Sequence, residues 1–220
     1  RPLTEAVMEA HTAVIGNTGF LGVPMLVLVL GPEAAATVLL VLVIDLILFS
    51  SLLTIIFTIV KEGHLSLRLP RVIGMGLLKN PMVASMALGL AWSATGLGLA
   101  EPVSATMTLL GAAATPGALF AIGASLTNNR AERLTVAGWL SFAKLVLHPA
   151  AVGSAAFFIF DVSPFVAGVL ISTAALPVAG NVYILAQHYN VAVSRVSAAI
   201  LISTIISVAT LPVVIAQFTG

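Results

Sequence analysis

Charged side chains are scarce in this sequence of 220 residues, and cysteine is absent. Only 8% of the residues are Asp, Glu, Lys or Arg, whereas soluble domains carry roughly 25%. So few charges cannot form a water-soluble surface, and with 60% hydrophobic residues the composition predicts a protein surrounded by lipid. The formal net charge of +1 excludes a strongly basic surface for nucleic acid, and the lack of cysteine excludes disulfides and thiolate metal sites.

The residue patterns of several enzyme classes are also missing. The sequence contains no zinc motif of two His and one Glu, no Gly-x-Ser-x-Gly elbow and no Gly-rich phosphate loop ending in Lys-Ser or Lys-Thr. Asp45 is the only carboxylate in the middle of an apolar stretch, so paired intramembrane aspartates are absent as well. The sequence therefore predicts no enzyme, no metal site and no cofactor.

Long apolar stretches dominate what is present. A membrane-spanning helix needs about 20 mostly apolar residues. Seven stretches meet this requirement, at residues 12–30, 34–60, 80–97, 102–126, 134–160, 164–187 and 193–218. Because they are continuously apolar rather than alternating, we expect helices and not the strands of a membrane barrel.

The basic residues predict the orientation of these segments. Eight of the nine Lys and Arg fall on one side of the seven predicted crossings: Arg1, Lys61, Arg68, Arg71, Lys79, Arg130, Arg133 and Arg195. The opposite connections carry Glu33, Glu101 and Asp161 instead. The positive-inside rule therefore places the loop at 61–79 in the cytoplasm and the C-terminus outside, in a multi-pass protein of the plasma (inner) membrane.

Two of the segments are poor candidates for plain helices. Residues 16–24 contain three Gly, one Asn and Pro24, and residues 176–181 contain Pro177, Gly180 and Asn181. Proline removes an amide donor and clashes with the preceding turn, and glycine weakens a helix by about 1 kcal/mol relative to Ala. Interrupted helices at this depth are tolerated only where they face protein or a water-filled cavity, and they offer helix ends that bind ions. The alternative is an ordinary kink or a close packing contact.

The positions of the two interrupted segments predict an internal repeat. Each one is followed by a single further segment, so residues 80–220 form a five-helix unit with its interrupted helix at 164–187. Residues 1–60 then resemble the end of an earlier unit, with an interrupted helix at 12–30 and a following helix at 34–60. An odd number of helices inverts consecutive units, so we expect two inverted five-helix repeats, three helices of which would precede this sequence.

Residues 17–24, Asn-Thr-Gly-Phe-Leu-Gly-Val-Pro, resemble the first crossover motif of the auxin efflux carrier family, which includes bacterial malonate transporters. Segments that resemble the sixth to tenth helices of that family follow in order, at 79–81, 116–126, 144–149, 176–183 and 203–204. Gly180 stands before Asn181, where the family pattern has a different small residue. The long cytoplasmic loop of the plant carriers is absent, which favours a bacterial-type carrier. The resemblance implies an all-α fold of ten helices, similar to bile acid symporters, of which seven are here, with an elevator-like motion.

The resemblance also implies a substrate site where the two crossovers meet. We expect the buried amides of Asn17 and Asn181 to bind the carboxylate of a small organic anion without the cost of a full charge. Thr18 and Tyr183 could add hydroxyl contacts, or could form only interhelical hydrogen bonds, as could Ser125. The backbone at Gly19, Pro24 and Pro177 completes the candidate substrate site.

Three ionisable residues inside the segments are candidates for coupling to an ion, either proton or sodium. Asp45 and Lys144 both lie about a dozen residues into their segments, which run in opposite directions, so a pair near the midplane is geometrically possible. His148 lies one helical turn after Lys144. A purely structural ion pair and a simple packing histidine remain alternatives. The sequence thus predicts a secondary carrier, and a channel or sensor of the same fold is the alternative; the oligomeric state stays open, a homodimer included.

Overall fold

The computed structural model describes residues 2–62, 69–79, 81–126 and 134–218. Twelve α-helices lie in these ranges: α1 (Leu3–Val14), α2 (Val23–Leu30), α3 (Ala34–Ile44), α4 (Ser50–Glu62), α5 (Leu69–Lys79), α6 (Pro81–Ala94), α7 (Glu101–Leu126), α8 (Leu134–Phe142), α9 (His148–Phe158), α10 (Pro164–Ala174), α11 (Gly180–Tyr189) and α12 (Val193–Ala216). There are also three π-helical segments in these ranges: Thr18–Gly22 directly before α2, Asp45–Phe49 between α3 and α4, and Ala143–Leu147 between α8 and α9. The prediction of an all-α fold is confirmed.

Three continuous helices are long and apolar enough to cross a membrane, namely Ala34–Val60, Leu134–Phe158 and Val193–Ala216, counted over the described residues. The apolar helices Thr18–Leu30 and Pro164–Ala174 are shorter because the chain is interrupted next to each of them. A polytopic membrane protein is therefore confirmed. Four of the basic residues that underlie the predicted orientation, Arg1, Arg68, Arg130 and Arg133, lie outside the described residues, and the orientation stays a prediction.

The structure differs from the predicted segments in two places. The first interrupted helix begins at Leu3 rather than at residue 12, because Glu9, which is buried, and Glu5, which is partly exposed, both pair with Arg195. The predicted cytoplasmic loop at 61–79 contains the helix α5, Leu69–Lys79, whose Pro70 stands in the first turn, where a missing amide donor costs nothing.

The π-helical segments at Thr18–Gly22 and Ala143–Leu147 share one sequence feature. In each, the residue after the segment donates its amide to the carbonyl five residues earlier, and the next residue is proline: Val23 bonds Thr18 before Pro24, and His148 bonds Ala143 before Pro149. In both of these helices the wider π-helical turn is therefore closed by the residue directly before a proline. The third segment, Asp45–Phe49, has the same bond, from the Ser50 amide to the Asp45 carbonyl, but Ser51 follows it, so a proline is not required for the π geometry.

The chain divides into two compact units, Arg1–Leu42 with Thr115–Gly220, and Val43–Ala114. In the first unit, α8 packs along α12 through the small residues Ala137, Ala198 and Ala199, which allow the two backbones to approach closely. A second cluster includes Leu26, Val38, Leu176 and Leu211 and packs α2, α3, α12 and the residues after α10 together. In the second unit, α5 packs against α4 and α6. The residues that interrupt the helices all lie in the first unit.

Candidate functional site

The first interruption separates α1 from α2. After Val14 the chain becomes extended at Ile15, with φ −79° and ψ 114°, and it re-enters helical geometry only at Thr18. The amides of Leu21 and Gly22 both donate to the Asn17 carbonyl oxygen, so Asn17 begins the second half of this helix. The interruption predicted from Gly, Asn and Pro is therefore present.

The second interruption separates α10 from α11. Helix α10 ends at Ala174 and α11 begins at Gly180, so residues 175–179 connect the two without continuing the helix. The amide of Val178 would continue the helix by donating to the Ala174 carbonyl, but it donates instead to the Ser203 hydroxyl of α12, at 3.1 Å. Ser203 therefore stabilises the interruption from a neighbouring helix, and it leaves the Ala174 carbonyl to other donors.

The two interruptions meet in an antiparallel β-bridge between Gly16 and Val178. The Asn17 amide donates to the Pro177 carbonyl at 2.8 Å, and the Ala179 amide donates to the Ile15 carbonyl at 3.1 Å. Each interrupted stretch thus satisfies backbone groups of the other, which is how non-helical backbone is tolerated inside a membrane protein. We call this meeting point, Ile15–Asn17 with Pro177–Ala179, the crossing.

The direction of the chain gives the crossing two kinds of helix end. Because the bridge is antiparallel, the chain leaves it in opposite directions toward α2 and toward α11. Both of these following helices turn their N-terminal ends to the crossing, and both preceding helices, α1 and α10, turn their C-terminal ends to it. The crossing therefore combines partly positive amide ends with partly negative carbonyl ends.

The predicted substrate-site residues are distributed unevenly around the crossing. Asn17 and Thr18 are buried beside it, and the Thr18 hydroxyl lies 3.4 Å from the Gly16 carbonyl oxygen. Asn181 lies in the first turn of α11, and its side-chain oxygen is buried with no hydrogen-bond donor among the described residues. A buried amide oxygen without a partner is uncommon and indicates a position where a further group can bind.

The remaining predicted residues differ in how deeply they are buried. Pro177 is buried within the crossing, Gly19 is half-buried in the π-helical segment, and Pro24 is exposed in the first turn of α2. The Tyr183 hydroxyl accepts a hydrogen bond from Gln187 at 2.9 Å, one turn farther along α11. The side chain of Ser125 is not among those described.

Lys144 reaches the crossing from the π-helical segment between α8 and α9. Its side chain has no solvent exposure, and Nζ donates to the Ala174 carbonyl oxygen at the end of α10. Nδ1 of His148 lies 3.3 Å from both Nζ of Lys144 and the same carbonyl oxygen. Gly16 lies against this group, since a Cβ at position 16 would be 3.4 Å from Nζ. Two of the three predicted coupling residues are thus brought together, while Asp45 lies in the other unit and its pairing with Lys144 stays a prediction.

Sequence reasoning missed an ion cluster around Arg195. From the sequence this arginine counts only as one of the basic residues on the predicted cytoplasmic side; in the structure it lies in the first turn of α12 and is only 9% exposed. Its guanidinium pairs with Glu5 at 2.8 Å and also with Glu9, and these two carboxylates lie one turn apart on α1. The spacing of the two Glu residues on a helix was the signal that could have revealed it.

Comparisons with known proteins identify the kind of protein that this chain resembles. A family model described as a membrane transport protein matches residues 1–215. The chain is also 30% identical, over 213 residues, to a protein of Rhizobium meliloti (strain 1021) named "Putative malonate transporter". That match covers 94% of this chain and 66% of the relative, so the chain spans about two thirds of the relative's length. Both similarities are to transport proteins and not to enzymes, as the missing catalytic motifs predicted.

Proposed function

Because the chain belongs to the membrane transport protein family of the auxin efflux carriers, we propose that it moves small organic anions across a membrane by alternating access. The observation that supports this proposal most directly is the antiparallel crossing of two interrupted helices, held by the Asn17–Pro177 and Ala179–Ile15 hydrogen bonds. Discontinuous helices of this kind form the substrate and ion sites of many secondary carriers.

The N-terminal ends at the crossing suit an anionic substrate. The first amides of a helix have no acceptor within that helix, and their dipoles favour negative charge. Asn181 lies in such a first turn, and Asn17 precedes the other one. We therefore assign the substrate carboxylate to this region, with the hydroxyl of Thr18 and the open backbone at Gly19 as further contacts.

The unpaired oxygen of Asn181 supports a polar ligand at this position. A carboxamide can turn about its terminal bond and present either its oxygen or its NH₂ group, so it can bind a hydroxyl donor or a carboxylate. In this proposal Pro177 keeps the second interruption open, Pro24 lies in the first turn of the helix that follows the first interruption, and Tyr183 contacts the substrate as α11 moves. Because the relative's name refers to malonate, short dicarboxylates are the first substrates to test.

We further propose that the chain is part of two inverted five-helix repeats in the plasma membrane, with the C-terminus outside. The coupling energy would come from protons or the membrane potential, with Asp45, Lys144 and His148 as the candidate residues. The opposite chain directions at the crossing support the inverted arrangement.

Uptake of radiolabelled malonate and longer carboxylates into proteoliposomes tests the function. Asn17→Ala and Asn181→Ala should each reduce kcat/KM about tenfold or more, which corresponds to a loss of about 1.4 kcal/mol. The matched control is Asn190→Gly, because Asn190 is exposed at the end of α11 with φ 53°, a conformation that Gly adopts freely. Full activity of the double Asn variant would contradict the site, and flux that never saturates and ignores ion gradients would favour a channel.

A further inference from the structure

Lys144 brings a fixed positive charge to the carbonyl end of an interrupted helix. Its ammonium group is completely buried and donates to Ala174, the last residue of α10. The amide four residues later in the chain, that of Val178, donates to Ser203 instead of Ala174. The Ala174 carbonyl therefore faces the ammonium at the point where the helix would otherwise have continued.

The C-terminal end of a helix carries about half a negative charge, which attracts cations. In secondary carriers with interrupted helices, such carbonyl ends and the unwound backbone beside them coordinate a coupling sodium ion or accept a proton. The lysine ammonium is a compact, strongly hydrated point charge, and in these respects it resembles a small inorganic cation. Lys144 thus presents at α10 the kind of charge that a dissolved cation supplies elsewhere.

Backbone groups of the interruptions lie close to the ammonium group of Lys144. Position 16 is glycine, and a Cβ there would lie 3.4 Å from Nζ and 3.4 Å from the Thr173 carbonyl oxygen. The π-helical segment Ala143–Leu147 contains Lys144 and precedes Pro149, and its extra residue per turn changes the direction in which Lys144 projects. Backbone of both interruptions and a widened third helix therefore enclose one ammonium group.

We propose that Lys144 is a tethered cation that replaces a dissolved sodium ion at the C-terminal end of α10. Its role is to position the crossing: it neutralises the carbonyl end while the helix is interrupted. The native protein then needs no sodium for a stable crossing. This inference rests on the proposed transport function only where it concerns coupling, since the cation site itself can be tested without substrate.

The test is thermal unfolding of the purified full-length protein in detergent. Sodium, methylammonium and N-methylglucamine chlorides are compared at equal ionic strength. The wild type should unfold at the same temperature in all three salts. Lys144→Ala opens space beside the Ala174 carbonyl, so sodium or methylammonium should raise its midpoint by about 3 °C relative to the bulky N-methylglucamine.

Two further variants separate charge from packing. Lys144→Met removes the charge but fills the space, so it should be less stable than the wild type and should not respond to small cations. Lys144→Arg keeps a positive charge and should stay insensitive to the choice of cation. A Lys144→Ala protein that folds and ignores small cations would overturn the proposal.

The wild type provides a second criterion that does not depend on whether any variant folds. If sodium raises its unfolding midpoint, Lys144 does not replace that ion. Sodium replacement in the uptake assay then addresses coupling: equal uptake with and without sodium is expected, and a sodium requirement overturns the inference. If no carboxylate is transported at all, the proposed function fails, while the unfolding experiment still decides whether Lys144 acts as a tethered cation.

Discussion

The backbone amide of Asn17 donates a 2.8 Å hydrogen bond to the carbonyl oxygen of Pro177, the residue that helps to interrupt the other helix. The two interruptions are therefore not independent, because each supplies hydrogen-bond partners to the other. A substitution that alters one interruption should therefore also change the hydrogen bonds of the other. Four predictions concern the residues that hold the crossing and its neighbours in place.

Ser203→Ala should destabilise the crossing. The variant removes the acceptor of the buried Val178 amide, and an unsatisfied buried donor costs about 1–3 kcal/mol. We expect a lower unfolding midpoint together with a changed KM for the transported anion. The matched control is Ser207→Ala, one turn later on α12, because the Ser207 hydroxyl bonds only the Thr204 carbonyl of its own helix among the contacts described. Equal effects of the two variants would contradict a special role for Ser203.

Arg195→Met should be strongly destabilising. It leaves the carboxylates of Glu5 and Glu9 without their shared guanidinium. Breaking a fully buried ion pair from one side costs about 3–5 kcal/mol, and because the Glu5 side chain is 30% exposed we expect a loss toward or below the lower end of that range. Denaturant or thermal unfolding measures the loss. Arg71→Met, at an exposed position of α5, is the control and should change stability little.

A variant that removes all three charges of the Arg195 cluster tests the same explanation. Replacing Glu5 and Glu9 with Gln together with Arg195→Met removes all three charges, so this triple variant should be more stable than Arg195→Met alone. If the triple variant is the less stable of the two, the cost does not arise from the loss of this guanidinium by the two carboxylates.

Gly22→Ala should be destabilising because a Cβ at this position would lie 2.6 Å from Cδ1 of Leu176. Leu176 has no solvent exposure and belongs to a packed cluster, so it cannot move aside without disturbing its neighbours. We expect a loss of about 1–3 kcal/mol in the free energy of unfolding. Gly138→Ala on α8 is the control, since a Cβ there meets nothing within 4 Å and alanine favours a helix.

A shorter side chain at position 176 should relieve the clash. Leu176→Val removes one carbon at the contact, so the Gly22→Ala/Leu176→Val double variant should lose less stability than the sum of the single changes. Strict additivity would show that the clash is not the cause.

The predicted pair of Asp45 and Lys144 can be tested with a double-mutant cycle. The predicted pair implies that Asp45→Asn and Lys144→Met each destabilise the protein, and that the combined variant loses less than the sum, with a coupling of about 1 kcal/mol or more. Thermal unfolding at several salt concentrations measures it, and salt should weaken a buried pair only slightly. Additive effects within about 0.5 kcal/mol would show that the two residues do not interact.

The interruptions could be predicted from the sequence because their cause is local. Pro177 removes a helical donor inside the second interruption, and Gly16 and Asn17 weaken the helix at the first; Pro24 lies seven residues past Asn17, in the first turn of α2. The register of the crossing could not be predicted in the same way. Whether the Asn17 amide meets Pro177 or a neighbouring carbonyl depends on how α10, α11 and α12 pack, and Ser203 contributes to that choice from another helix.

The errors have one physical origin, namely that a charge in a sequence does not reveal its partner. From the sequence the first segment begins only at residue 12, after Glu5 and Glu9, and Arg195 counts as one of the basic residues on the predicted cytoplasmic side. In the structure Arg195 pairs with both carboxylates, so α1 and α12 can carry Arg195 and Glu9 in buried positions. The partners lie 186 residues apart in the case of Glu9 and Arg195, and no local pattern joins them.

The π-helical segment Ala143–Leu147 adds one residue to a turn of the helix that runs from α8 to α9. Deleting one residue from this segment would restore an α-helical turn and rotate everything before it by about 100° relative to α9. Lys144 would then turn away from the Ala174 carbonyl and from Gly16, so the register of a single turn decides whether this charge lies at the crossing.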